Sequence, residues 1–303
     1  MKISVVTPSY NQGAYLEATL RSLLDQNYPD LEMIVIDGGS TDQSVDIIRR
    51  YAPQLSYWES EKDRGQSHAL NKGFAHVHGD IWSWLNSDDL LEAGVLQRVA
   101  EVFRQNPEAG VVYGDCVYVA ENGETVIEKY PVEPFSHLGL LARCFLAQPS
   151  CFFRSSMVPP GVRGDLQYCM DYDLALRLAA RGVKFHYVPE VFSRYRLHDE
   201  SKSVRALVAL RAEVLEEIYR PLLRAGASLE ERRAIAHAAS DMIHQLNGLG
   251  ARGAVLKTLL FHILKARILP PPILLNLGFQ AMVGPRWVRL VQRLKGKRVP
   301  REL

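Results

Sequence analysis

The apolar positions of the first 115 residues switch repeatedly between short continuous runs and spacings of three and four. Residues 3–7 predict a strand, and Leu16, Leu20, Leu23 and Leu24 then recur at helical spacing. Residues 33–37 predict a second strand. Val45 and Ile48 mark a helix beyond Gly38-Gly39-Ser40-Thr41. Further along, a helix is expected over about 66–75, a strand over 81–85, a helix near 94–103 and a strand over 110–113. This order predicts an α/β domain whose mostly parallel sheet carries helices on both faces. Residues 116–165 are less regular, with a hairpin expected around Glu121-Asn122-Gly123 and a strand over 148–153. A helix from about Asp171 to Gly182 follows, then short strands at 184–188 and 194–198. From about Ser203 the pattern is helical to the end, with no internal repeat and no low-complexity tract.

Charge divides the chain at the same place. Residues 1–203 carry 19 Lys/Arg and 27 Asp/Glu, whereas residues 204–303 carry 17 and 7, so an overall charge of +2 hides an acidic and a basic region. The expected organisation is a catalytic domain over 1–203 and a basic, all-helical extension over 204–303. Cys116, Cys144, Cys151 and Cys169 form no CxxC pair and are expected as buried thiols in a reducing compartment. The first apolar run is too short for a signal-peptide core, so a cytoplasmic location is expected.

Chemistry concentrates where predicted strands end. Trp82-Ser83-Trp84-Leu85-Asn86-Ser87-Asp88-Asp89 takes an apolar strand straight into two carboxylates. At the C-terminal edge of an α/β sheet such a pair suits a divalent cation holding a phosphate-bearing substrate. It equally suits a helix cap, with Leu90-Leu91-Glu92 opening the next helix. Trp82 and Trp84 share one face of the strand and are expected in the core. Thr7-Pro8-Ser9-Tyr10-Asn11 and Asp37-Gly38-Gly39-Ser40-Thr41-Asp42 end two other strands in small polar residues. Neither is a P-loop or a Rossmann fingerprint.

A third loop reads D-R-G-Q-S-x-A-x-N-K-G from Asp63 to Gly73. Together with T-P-S-Y-N, D-G-G-S-T-D, N-S-D-D, M-D-Y-D-L-x-L-R and Y-R-L-H-x-x-S, it resembles the inverting family 2 glycosyltransferases of the GT-A fold, over roughly residues 3–203. The resemblance implies that Thr7, Pro8, Tyr10, Asp37, Asp63 and Lys72 line a nucleotide-sugar pocket, with Tyr10 stacking on the base. It implies that Asp88 binds Mg²⁺ or Mn²⁺ bridging the diphosphate, that Asn86 and Asp89 adjoin the donor, and that His198 serves near the metal. It assigns the general base to Asp171 and part of the acceptor site to Gln148-Pro149-Ser150.

Three residues depart from the family pattern. Asn86 stands where D-x-D-D has its first Asp, which implies somewhat weaker metal affinity. Gly38 stands for the second Asp of D-D-G-S, and Met170 for the Glu of E-D. Asp173 is expected to pair with Arg177 at i,i+4. The processive Q-x-x-R-W motif is absent, which implies one sugar per encounter.

Near the C-terminus Trp287, Leu290, Val291 and Leu294 form an apolar stripe among Arg286, Arg289, Arg293, Lys295, Lys297 and Arg298. The stripe fits a helix lying on an anionic membrane surface, or one packed on the catalytic domain. Residues 273–284 as a helix would reach only about 18 Å, short of the ~30 Å hydrocarbon core. The acidic first region and the lack of a nucleic-acid motif argue against a nucleic-acid partner. The implied function is a cytoplasmic, membrane-peripheral, metal-dependent glycosyltransferase of cell-envelope polysaccharide assembly, moving one sugar from a nucleotide-sugar to a lipid-linked or glycan acceptor. The rival readings are a non-catalytic scaffold with this fold and a sugar nucleotidyltransferase.

Overall fold

The structure, a computed structural model, describes residues 1–199 and 206–248. The chain divides between Arg205 and Ala206 into two units.

The first unit follows the alternation of the sequence. In chain order it runs β1 (Ile3–Ser9), α1 (Leu16–Leu24), β2 (Leu31–Asp37), α2 (Ser44–Tyr51), β3 (Tyr57–Ser60), α3 (Gln66–Phe74), β4 (Ile81–Trp84), β5 (Leu90–Leu91) and α4 (Val95–Gln105). It continues through β6 (Ala109–Val119), β7 (Val126–Lys129), α5 (His137–Ala142), β8 (Cys151–Arg154), α6 (Met170–Ala180) and β9 (Lys184–Arg196). One sheet takes the order β3-β2-β1-β4-β8-β6-β9-β5, with β7 alongside β6. The strands β3, β2, β1 and β4 are parallel, as the βαβ order requires. Beyond β4 the sheet is mixed: β8 runs antiparallel to β4 and β6, β7 to β6, and β5 to β9, while β6 and β9 are parallel.

Both faces are covered. Ile3, Val5, Met33 and Val35 point into a core with Leu16, Leu20, Ile47, Ile48, Leu96 and Val99 from α1, α2 and α4. On the opposite face α3 lies so close that a Cβ on Gly73 would sit 2.4 Å from Val6 Cγ1 and 3.1 Å from Ile36 Cγ1. Trp82 and Trp84 are buried on that same face, stacked 6.2 Å apart and flanked by Phe74 and Phe153.

Several elements differ from the sequence expectation. Leu90-Leu91 does not open a helix. It forms β5 against Ser193 and Arg194, and α4 begins only after Gly94. The expected strands at 184–188 and 194–198 are one strand, β9, because Pro189 and Glu190 are accommodated as a bulge opposite Gly114 and Asp115. β3 was not foreseen: its four residues are half-buried at the sheet's edge and show no alternation. Residues 148–150 form a 3₁₀ turn rather than the start of a strand. Cys116, Cys151 and Cys169 are buried free thiols, but Cys144 is only half-buried.

In the second unit α7 (Leu207–Glu213) passes through a π-helical stretch (Val214–Tyr219) into α8 (Arg220–Arg224), and α9 (Leu229–Gly248) follows. Ser228 and Glu231 form a reciprocal capping box at the start of α9, with bonds of 3.2 and 2.7 Å. No helix of the described residues is long and apolar enough to cross a membrane. The basic stripe from Arg286 to Arg298 and the residues beyond 248 lie outside the described residues, as does Ser201.

Gly73→Ala tests the seating of α3. Alanine brings about 1 kcal/mol of helix propensity, but overpacking against the fully buried Val6 costs up to ~3 kcal/mol. A net loss near 2 kcal/mol lowers the melting temperature by roughly 4–8 °C at this size. An unchanged melting temperature would contradict the close approach of α3 to the sheet.

Candidate active site

The parallel strands β1, β2, β3 and β4 all end at one edge of the sheet, and their loops are stitched together there. Asn11, with φ 51°, accepts from Thr41 N through Oδ1 at 2.9 Å, and Ser40 Oγ accepts from Asn11 N at 2.7 Å. Asp42 Oδ2 accepts from Gly13 N at 2.8 Å. Asp37 is fully buried, and its carboxylate accepts from Gly39 N, Ser40 N, Ser40 Oγ and Ser60 Oγ. It therefore shapes the loop from within. Thr7 and Pro8 are buried in β1, whereas Tyr10 stands 59% exposed at the strand's end.

Asp63 lies over Gly38. A Cβ on Gly38 would come within 2.7 Å of Asp63 Oδ2, so glycine there makes room for this carboxylate. Asp63 Oδ1 also accepts from Gly65 N at 2.8 Å. On α3, Lys72 is ion-paired with Glu59 and lies 3.7 Å from Glu61. The bond to Glu59 pushes its ammonium pKa up.

The run Asn86–Asp89 is a turn, not a helix cap. Asp89 N donates to Asn86 O at 3.1 Å, and Asp89 O accepts from Thr19 Oγ1 at 2.8 Å. The two carboxylates are sorted by environment. Asp89 is 1% exposed and accepts from Arg196 N at 3.1 Å and from Asn86 Nδ2 at 3.2 Å. Burial, then the charge of Asp88, raises its carboxyl pKa well above the usual range. Asp88 remains partly exposed, and its Oδ2 lies 3.1 Å from His198 Nε2.

Arg196, two residues before that histidine, binds Asp88 O at 2.8 Å and Glu121 O at 2.5 Å. Its guanidinium lies 5.1 Å from the centroid of the Tyr15 ring. Burial lowers its pKa, against the opposing pull of Asp88 and Asp89. The Tyr15 ring also packs 4.4 Å from His198, and its hydroxyl donates to Glu121 Oε1 at 2.7 Å. The Tyr15 hydroxyl is pushed up to about 12, first by burial and then by Glu121.

Among the described residues no three His, Cys, Asp or Glu side chains converge on a metal position. Asp88 and His198 form a two-residue donor set. One carboxylate oxygen and one imidazole nitrogen fit a divalent ion that takes its remaining ligands from phosphate and water.

Asn86 links this turn to a second feature. Its Oδ1 accepts from Gln66 Nε2 at 2.7 Å, and its Nδ2 donates to Gln148 Oε1 at 3.2 Å as well as to Asp89. Gln148 Nε2 in turn donates to Trp84 O at 2.7 Å. Gln148 and Trp84 line a small, open recess together with Asp171 on the first turn of α6. Tyr172 N donates to Asp171 Oδ1 at 2.8 Å. Asp173, by contrast, is buried and bonded to Arg177 Nε at 2.7 Å, the expected structural pair.

Residues 4–148 match the profile of glycosyl transferase family 2. Over that stretch, just under half of its length, the chain is similar to the family 2 glycosyltransferases. An uncharacterized glycosyltransferase of Nostoc sp. is 37% identical over 116 residues, covering 37% of this chain and 36% of that protein. A PGL/p-HBAD biosynthesis glycosyltransferase of Mycobacterium tuberculosis is 35% identical over 123 residues, covering 39% and 48%. The matched stretches thus span about a third to a half of these relatives' lengths. Among solved structures, S. aureus TarS 1-349 in complex with UDP aligns with a TM-score of 0.69 at 17% identity, covering 100% of this chain and 94% of that one. The mannosyltransferase PcManGT of Pyrobaculum calidifontis, in complex with GDP-Man and Mn²⁺, aligns with a TM-score of 0.59 at 22% identity, covering 93% and 87%. The fold is thereby that of the GT-A glycosyltransferases.

Around this edge the structure adds residues that sequence reasoning did not single out. Arg196 was quoted only as part of Y-R-L-H, and its backbone contacts to the Asp88 turn have no signature in residue type. Gln66 joins the site through Asn86, and Tyr15 joins it through Glu121, Arg196 and His198, residues far from it in the sequence. The network also accounts for Asn86. An amide there donates to buried Asp89, which a carboxylate could not do.

Asn86→Asp is expected to lower stability at pH 7 by about 1–3 kcal/mol, since it removes a donor from a buried acceptor and adds a like charge. Thermal denaturation checks this. A variant as stable as the parent would contradict the network.

Proposed function

We propose that the chain is an inverting, metal-dependent glycosyltransferase. It moves one sugar from a nucleotide-sugar to a lipid-linked or glycan acceptor, in cell-envelope polysaccharide assembly at the inner face of the membrane. The carrying observation is the Asp88–His198 pair at the edge where four parallel strands end, joined through Asn86 and Gln148 to the recess that holds Asp171. The ligands of the fold neighbours, UDP or UDP-GlcNAc for TarS and GDP-Man with Mn²⁺ for the mannosyltransferase, support a nucleotide-sugar donor and Mg²⁺ or Mn²⁺. The mycobacterial relative's place in PGL/p-HBAD biosynthesis supports an envelope role. The basic region beyond residue 248 supports a peripheral membrane setting.

In this reading Tyr10 offers its exposed ring to the base at the end of the strand that carries Thr7 and Pro8. Asp37 holds the loop in shape, while Asp63 and Lys72 face the nucleotide. Asp88 and His198 would hold the ion, and a bound divalent ion would supply positive charge against the negative charge developing on the leaving diphosphate. Asp89, buried behind them, fixes the turn with Asn86. The acceptor oxygen attacks the anomeric carbon from the face opposite the diphosphate. As the new C–O bond forms, the C–O bond to the diphosphate breaks and its electron pair leaves with the nucleotide. The acceptor's proton passes to Asp171, and the configuration inverts.

Asp171→Asn is expected to cut transfer by ~10²–10⁴-fold while donor binding persists, measured by product formation and calorimetry with UDP-GlcNAc or GDP-Man. Full transfer in that variant would remove Asp171 as the base. Asp88→Ala is expected to abolish the Mn²⁺-dependent part of donor binding, and an unchanged Mn²⁺ titration would remove the metal role. A scaffold would show no Mn²⁺-dependent donor hydrolysis in the parent protein.

A further inference from the structure

A histidine binds a metal well when its ring is already aimed, and His198 is aimed by more than Asp88. Its side chain is 1% exposed. The backbone just before it is held at the end of β9, where Leu197 N donates to Val119 O at 2.9 Å. The imidazole packs against Tyr15, with ring centroids 4.4 Å apart and planes tilted by 41°. Tyr15 is held in turn. As the N-cap residue of α1 it donates from its backbone N–H to Gln12 O at 2.9 Å. Its hydroxyl donates to Glu121 Oε1 at 2.7 Å, and the Arg196 guanidinium lies 5.1 Å from its ring centroid. Arg196 also binds Glu121 O and Asp88 O. Tyr15, Glu121, Arg196, Asp88 and His198 therefore close a ring of contacts around the turn.

The Asp88–His198 contact at 3.1 Å orients the imidazole only while no ion is bound. An ion held by both side chains takes Asp88 Oδ2 and His198 Nε2 as its ligands, and their mutual hydrogen bond is given up. Packing against Tyr15 uses no lone pair of the imidazole, so it persists when the ion enters. Resting on the metal-dependent reading above, we propose that Tyr15 is a positioning residue for the ion: its ring fixes the His198 imidazole so that Nε2 faces the cation, and the bond to Glu121 holds the ring in place. The order that binding would otherwise impose on the imidazole is then already built in. Contacts that orient a ligating histidine are commonly worth about ten- to a hundredfold in metal affinity.

Electron paramagnetic resonance of free Mn²⁺ tests this without turnover. Titrating Mn²⁺ alone into the full chain gives a Kd, and Asp88→Ala and His198→Ala mark the loss of each ligand. Tyr15→Leu, or Tyr15→Met should Leu not fold, is expected to raise that Kd about tenfold or more. Tyr15→Phe, which keeps the ring, is expected to stay within about threefold of the parent. In a His198→Ala background, Tyr15→Leu is expected to change the Kd by less than about twofold, because the ring then has no imidazole to hold. A Tyr15→Leu protein that binds Mn²⁺ as the parent does, while Asp88→Ala binds weakly, overturns this inference alone. An undiminished effect of Tyr15→Leu in the His198→Ala background does the same, since that is what a general loosening of the fold would produce. An Asp88→Ala protein with the parent's Kd, or a parent that binds no Mn²⁺, overturns the metal reading itself and this inference with it.

Discussion

Two adjacent carboxylates at a strand end repel each other, and the site depends on how that repulsion is resolved. Asp89 is taken out of water and held by the backbone N–H of Arg196 and the amide of Asn86. The Arg196 guanidinium sits against the Asp88 carbonyl, close enough to oppose both negative charges. Asp88 is left partly exposed, facing His198. Because Arg196 and His198 belong to β9 and the residues just after it, the same contacts join the parallel strands to the mixed half of the sheet.

Asn86 extends this constraint sideways. One amide side chain touches the start of α3, the buried Asp89 and Gln148 at the recess. The Asn86–Asp89 turn, the start of α3 and the Asp171 recess are therefore tied through one polar side chain. This hub also gives a physical reason for asparagine at this position: its amide nitrogen donates to Asp89 while its oxygen accepts from Gln66, and a carboxylate has no N–H with which to do the first.

Much of the first unit is legible in the sequence, because hydrophobic periodicity reports strands and helices buried on defined faces. The parallel block β1, β2 and β4, with α1 to α3, follows directly from spacing. The two-residue strand β5 does not: Leu90-Leu91 is too short to carry a period, and its pairing partner lies about a hundred residues away. The sequence splits β9 into strands at 184–188 and 194–198, but the ladder is continuous and absorbs Pro189 and Glu190 as a bulge. At the site, the strand-end pattern pointed to Asp88 and Asp89, and the family resemblance to His198 and Asp171. Neither could say that Asp37 is committed to its own loop, or that Asp89 is buried.

The central claim is that Asp88 and His198 hold a divalent ion at the edge where the parallel strands end. Anomalous diffraction from crystals of the protein grown with Mn²⁺ and UDP tests it most directly. The account predicts a manganese peak bonded to Asp88 and His198 and to the diphosphate oxygens. A manganese peak elsewhere with UDP bound at this edge, or bound UDP with no manganese beside Asp88, would contradict it.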